Sequence, residues 1–217
     1  MQGLKGRKEL RALKAWVLER RERLSWAGGF LAVSLAVFLC LALPGANGPE
    51  GVARRYMDAA LDYDYLGIYR LIDRRVLDRE LELAGLDRAG MEERAATNTG
   101  LVAEYIGQIE DEYGVDITYT YAVTGQRPLS ADALAVLALA YERDGHGPDL
   151  LAATQVEVHA VARLTGAERT ETLERELSVT AIRTGRGWSL DKDSMHTFLE
   201  LFYDLPFFAW EHFGQGE

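Results

Sequence analysis

The sequence predicts an α+β fold in which an N-terminal transmembrane helix precedes a domain of helices packed on a curved antiparallel sheet. Three observations predict it. Leu24 to Pro49 contains no charged residue, and Trp26 to Leu43 within it is almost pure Ala, Val, Leu, Phe and Gly. Apolar residues then recur at helical spacing as far as Ile109. From Val115 the hydrophobic period falls from 3.6 to 2, and two further long runs keep it.

With 217 residues, 48% of them hydrophobic and 27% charged, the chain has room for one core-forming domain plus appendages. Its charge is unevenly placed. Residues 1–24 carry eight basic side chains against Glu9, Glu19 and Glu22, a net of +5, so the remainder of a chain at −10 carries −15. A domain that acidic repels phosphate backbones, which excludes nucleic acid as its partner.

Residues 25–45 are read as the membrane span. At about 1.5 Å per residue the run from Trp26 to Leu43 extends about 27 Å, close to the hydrocarbon thickness of a bilayer, and Pro44-Gly45 ends it. A cleaved signal needs a shorter apolar core and small residues before the cut, whereas a cut after Ala46 would place Pro44 there. Leu39 precedes Cys40, which argues against lipid attachment and makes Cys40 an apolar filler. The span is therefore expected to stay in the cell membrane. Arg20, Arg21 and Arg23 lie directly before it and Glu50 is the first charge after it, so the basic arm 1–24 is expected in the cytoplasm and the C-terminal domain outside. The arm reads equally as a helix lying on anionic lipid or as a solvated tail that sets topology. Gly28, Ala32 and Ala36, continued by Cys40, form a small-residue stripe that would allow close approach of a second helix, in a homodimer or with another protein, although Ala and Gly are common in such spans anyway.

The outer domain starts at Pro49, a helix-initiating residue followed by Glu50 in the first turn, and its first stripe is Val52, Tyr56, Ala59, Ala60 and Tyr63. Asp62 and Asp64 bracket a break before a second turn of helix through Leu66, Tyr69, Leu71 and Ile72. A polar stretch leads to a longer helix with Leu101, Val102, Tyr105, Ile106 and Ile109 on one face and Gly114 as its stop. "VDITYTYAV" alternates as a half-buried strand, Ser130 caps a short helix bearing Leu134, Val136, Leu137, Leu139 and Tyr141, and two strands follow, "ATQVEVHAVARL" and "TLERELSVTAIR". Gly185–Gly187 turns the second of them into "WSLD". Strands joined by such turns pair as an antiparallel sheet with helices on one side.

The "YMDAALDYDYLGIYRLID" opening and the "VTAIRTGRGWSLD" ending, with this order of elements between them, resemble the nuclear transport factor 2-like superfamily over residues 49–195. More narrowly they are similar to extracytoplasmic domains of small membrane-attached proteins and lipoproteins of Gram-positive bacteria. The resemblance implies a cone-shaped domain with a cavity between sheet and helices. Some members, such as ketosteroid isomerase and scytalone dehydratase, place Asp, His or Tyr in that cavity and are enzymes.

Whether this cone has chemistry depends on which strand faces carry titratable groups. Gln155, Glu157, His159 and Arg163 lie opposite the Val156, Val158, Ala160, Ala162 and Leu164 row, and Glu174, Glu176, Ser178 and Thr180 lie opposite Leu177 and Val179. The acids and the histidine are thus expected to point outward. Tyr119, Tyr121 and Arg175 share the apolar face and are the candidate pocket residues; the tyrosines read equally as good strand residues with hydroxyls at the rim. His146, His159, His196 and His212 lack partners at metal-ligand spacing, "DGHGPD" reads as a polar turn, and neither metal nor cofactor is expected. The function expected is a single-pass, membrane-anchored extracytoplasmic module that binds a small molecule or protein without catalysis. The alternative is an isomerase- or dehydratase-type enzyme using the cone cavity.

Residues 196–217 form an aromatic C-terminal segment. "FLELFYDLPFFAWEHF" holds seven aromatic residues and is too short and acidic to cross a bilayer. It is expected to dock on its own domain, or to contact a partner or the membrane surface through Phe202, Phe207, Phe208 and Trp210.

Overall fold

The computed structural model describes residues 47–146 and 149–198. The expected arm and span, with Gly28, Ala32 and Ala36, lie outside the described residues, as do Phe202, Phe207, Phe208 and Trp210. Among the described residues no helix is long and apolar enough to cross a membrane.

Helix α1 (Pro49–Leu61) begins with proline at its first position and Glu50 in the first turn, and it buries Val52, Ala53, Tyr56, Met57 and Ala60. The break expected at Asp62 and Asp64 is present, with Tyr63 at a left-handed φ of 58°. Asp64 then starts helix α2 (Tyr65–Leu71), its carboxylate accepting the Gly67 N–H at 2.8 Å. A Cβ on Gly67 would lie 2.3 Å from Asp64 Oδ2, so this cap requires glycine.

The polar connection expected next is instead a helix, α3 (Arg74–Leu83), capped by Asp73 and buried through Val76, Leu77 and Leu81. Four of its ten residues are apolar and one of those, Leu83, is 57% exposed, so its buried stripe is narrow. Helix α4 (Arg88–Tyr113) is capped by Asp87 and ends on Gly114, which adopts φ 61°. Its inward line is Met91, Ala95, Val102, Ile106 and Ile109. Leu101 and Tyr105, expected on that stripe, lie one position off it and are 59% and 41% exposed.

Strands β1 (Asp116–Pro128), β2 (Ala152–Thr165), β3 (Thr170–Thr184) and β4 (Gly187–Leu190) pair antiparallel in sequence order. They form a curled half-barrel sheet. The β1–β2 register slips between Val123 and Gly125, a bulge of the kind that bends a strand. Helix α5 (Ala131–Arg143) connects β1 to β2, and Ser130 Oγ accepts the Ala133 N–H at 3.2 Å, as its cap position predicts. Leu134, Leu137 and Tyr141 turn inward at spacings of three and four. Val136 and Leu139, expected beside them, fall on the opposite side and are exposed.

The faces of β2 and β3 divide as the alternation requires. Val156, Val158, Ala160, Ala162 and Leu164 are fully buried, as are Leu177, Val179 and Ala181, and α1 packs on the sheet, touching all four strands. On the outer face His159 lies 2.8 Å from Glu176 Oε1 and 3.6 Å from Glu174 Oε2. Burying one Val or Leu side chain contributes about 1.5–3 kcal/mol, whereas an exposed i,i+4 pair such as Arg54–Glu50 contributes about 0.3–0.5 kcal/mol. The inner rows therefore hold the domain. The folded unit also extends beyond residue 195: after a 3-10 turn (Lys192–His196), Phe198 is fully buried, edge-on to Tyr56 and Tyr65, and its N–H donates to the Tyr56 hydroxyl at 2.8 Å.

Gly67→Ala should displace the Asp64 carboxylate and lose the α2 cap. A loss of about 1 kcal/mol is expected, read as a lower urea midpoint with an unchanged slope.

Candidate functional site

A cavity of about 350 Å³ lies away from the inner face of the long strands. It is enclosed by the helices before the sheet and by the turn after β4. Its apolar wall comes from Tyr69 and Ile72 at the end of α2, Leu77 and Leu81 of α3, Ala84 and Leu86 of the following turn, Met91 of α4, and Met195. Its polar wall is Glu80, Arg94, Lys192, Asp193 and His196. A smaller cavity of about 190 Å³ shares Ile72, Leu77 and Met91 with it and adds Leu66, Arg70, Arg74, Arg88 and Glu92. The two form a groove along α2 to α4 that is apolar at its centre and carries four arginines.

The arginines differ in their partners. Asp78 engages Arg88 at 2.5 Å and Arg74 at 3.6 Å. Arg70 and Arg94, both exposed, make no ion pair among the described residues. Lys192 is engaged on three sides, by Asp193 at 3.2 Å, Asp144 at 3.5 Å and Glu80 at 3.6 Å. Burial pulls the Lys192 pKa down, but those carboxylates outweigh it and hold the ammonium above the ordinary lysine value.

Behind this wall lies a buried polar cluster that fixes the turn in place. The Tyr141 hydroxyl donates to Asp191 Oδ1 at 2.5 Å and accepts the Lys192 backbone N–H at 3.3 Å. The Tyr141 ring lies 5.5 Å from that of His146, whose Nε2 is 2.6 Å from Glu80 Oε1. The turn expected at Asp144–Gly145 is present, and His146 directly after it is buried, with Glu80 reaching it from α3. Burial raises the Asp191 pKa above the usual aspartate value, with the Tyr141 bond opposing the rise. Burial and the neighbouring Asp191 charge raise that of Tyr141.

Tyr119, Tyr121 and Arg175 lie elsewhere. Tyr121 and Arg175 both pair across Ala160, in one row of the concave face about 10 Å apart. Tyr119 occupies the next row and packs edge-on against Tyr63, and burial raises its pKa. The Tyr121 hydroxyl donates to Asp58 Oδ1 at 2.6 Å, tying β1 to α1. Burial first and that carboxylate second push its pKa up to about 12. Arg175 Nη1 donates to the Glu174 carbonyl at 2.9 Å. None of these three candidate pocket residues lines the groove; Tyr121 and Arg175 share one row of the sheet and Tyr119 lies in the next. The residues that sequence reasoning missed, Glu80, Arg94, Lys192 and Asp193, belong to α3, α4 and the turn. The signal for α3 was present in Asp73, the Val76/Leu77/Leu81 spacing and Gly85. No cluster of metal-ligating side chains occurs among the described residues.

The raised Asp191 pKa gives a signed pH dependence. A carboxyl whose pKa is higher folded than unfolded contributes stability that is complete below the unfolded value and is lost as pH rises through the folded one. The Tyr141 bond favours the ionised form, so Tyr141→Phe should cost more at pH 7 than at pH 4. The expected loss at pH 7 is about 1–3 kcal/mol, with the difference checked by urea unfolding at both pH values.

No protein-family model matches the chain, and no curated protein and no solved structure matches it.

Proposed function

We propose that the chain is a single-pass, membrane-anchored extracytoplasmic module of the nuclear transport factor 2-like kind, which binds an amphiphilic ligand with an anionic group and carries out no catalysis. The observation that carries the reading is the groove along α2 to α4. Its volume falls within the range of small-molecule sites, about 300–1,000 Å³, and its apolar centre adjoins Arg70 and Arg94, which make no ion pair among the described residues. Arginine presents a fork of donors to an oxyanion, and an apolar wall rewards burial of a ring or short chain. The buried Tyr141–Asp191 pair does not line the groove, so the proton-holding groups there serve the wall and not a ligand. The order of helices, strand, helix and long paired strands supports the family reading, and the uncharged run of residues 25–45 supports the anchor.

One observation favours a second reading. Glu80 lines the groove and is backed by buried His146 at 2.6 Å, the arrangement of a carboxylate held for proton transfer in an isomerase or dehydratase. The two readings separate on Glu80→Gln, which should abolish turnover in an enzyme while leaving ligand affinity in place.

The probe for the groove is 1-anilinonaphthalene-8-sulfonate, an aromatic system with one anionic group. It should bind the full chain in detergent with a blue-shifted emission. Ala84→Trp, which fills the cavity from an exposed wall position, and Arg70→Glu should each weaken binding about tenfold. Equal affinity in the parent and both variants would reject the groove as the site. The anchor is tested independently: carbonate should leave the chain in its membrane, and externally added protease should cleave the domain but not the basic arm.

A further inference from the structure

Glu80 belongs to the polar wall of the groove, and its two oxygens have different surroundings. Oε1 lies 2.6 Å from His146 Nε2 and 3.6 Å from Lys192 Nζ, whereas Oε2 makes no hydrogen bond or ion pair among the described residues. The His146 side chain is fully buried and its Nδ1 has no partner among those residues either. A proton on Nδ1 would be a buried donor left unsatisfied, so the ring proton belongs on Nε2, which donates it to Oε1. The Tyr141 ring, 5.5 Å away, packs against the imidazole from the other side of this cluster. Two donors thus hold one oxygen of a carboxylate that is 40% exposed and lines the cavity, and the second oxygen is left as a fixed acceptor.

We infer that Glu80 Oε2 selects the ligand, accepting a hydrogen bond from a hydroxyl or neutral N–H at the end remote from the ligand's anionic group. This rests on the groove being the binding site proposed above, and it names the ligand class: an aromatic or aliphatic acid with a hydroxyl or neutral N–H donor at its far end. Placement favours it. Glu80 lines the larger cavity and Arg70 the smaller, while Ile72, Leu77 and Met91 line both, so an apolar body separates the two polar contacts. Charge favours a neutral donor over an ammonium, because Glu80 and Asp193 on this wall are already balanced by Lys192 and Arg94. Desolvation supplies the discrimination. An anion without the donor strips water from Oε2 and returns no bond, which weakens its binding about tenfold relative to one that has it.

The test measures, with the full chain in detergent, how well a matched series of anions displaces 1-anilinonaphthalene-8-sulfonate. 6-Hydroxynaphthalene-2-sulfonate should bind about tenfold tighter than naphthalene-2-sulfonate, which has no donor, and than the 6-methoxy compound, which can only accept. In Glu80→Gln the donor-free anion should bind as before, which shows the groove intact. The single amide oxygen is then taken by His146 Nε2–H, the amide N–H groups face the ligand, and the hydroxyl compound should lose its advantage while the methoxy compound gains. Arg70→Glu should weaken all three sulfonates alike and leave their ratio unchanged. Equal binding of the three in the parent chain would retain the groove and overturn the role of Glu80, as would a hydroxyl preference that survives Glu80→Gln. Tighter binding of 6-(aminomethyl)naphthalene-2-sulfonate, an ammonium, than of the hydroxyl compound would overturn the neutral donor. Displacement by none of the series would reject the groove as an anion site and this inference with it.

Discussion

The pairing of β2 with β3 constrains everything else in this domain. Fourteen consecutive residue pairs run antiparallel without a slip, so a shift of one residue would turn the Val/Ala/Leu row outward and bury Glu157, His159 and Glu176. An unpaired charge cannot be buried at tolerable cost, while each Val or Leu in the row contributes about 1.5–3 kcal/mol when covered. The register therefore has one solution, and α1 must lie across its concave side. Ala160 and Ala162 in the middle of the row are small, which leaves room for the Tyr119 and Tyr121 rings of β1 beside them.

Helix α1 covers the concave face, and the groove lies at the edge of the layer. Helices α2 to α4 and the turn after β4 meet there with only narrow apolar stripes, and they are held by polar ties. Thr184 Oγ1 donates to Asp73 at 3.1 Å, Thr99 Oγ1 donates to the Tyr63 carbonyl at 2.7 Å, and the Tyr141–Asp191 bond holds the turn. Polar ties fix geometry with less packed volume than apolar ones, so this corner of the fold is where a cavity persists. Its arginines stand out in a domain whose net charge is strongly acidic.

What the sequence made legible follows from periodicity. The long strands alternate through their middles because α1 covers one of their faces there, and Asp64, Ser130 and Gly114 act at the helix ends where their chemistry places them. Helix α3 was harder because three inward residues among six charges give little contrast. The faces of α4 and α5 were misjudged at Leu101, Tyr105, Val136 and Leu139, since apolar residues flanking a buried line look the same in sequence as those on it. The Glu80–His146 contact spans 66 residues and the Tyr141–Asp191 contact spans 50, and no local pattern encodes such separations. The groove was therefore invisible until the helices were placed, whereas the outward direction of the strand acids was not.

Two features of the groove bear on binding versus chemistry. A general base needs a carboxylate whose proton affinity is tuned and whose lone pairs face the substrate. Glu80 meets both His146 and Lys192 through Oε1, and the buried carboxyl with a raised pKa, Asp191, is turned toward Tyr141 behind the wall. Groups arranged this way stiffen a wall. Arg70 and Arg94, in contrast, make no ion pair among the described residues, and guanidinium holds anions well and exchanges protons poorly because it stays protonated. An apolar wall of Tyr69, Ile72, Leu77 and Met91 beside guanidinium donors suits an amphiphilic anion, whose apolar part gains from burial while paired N–H groups hold its charge.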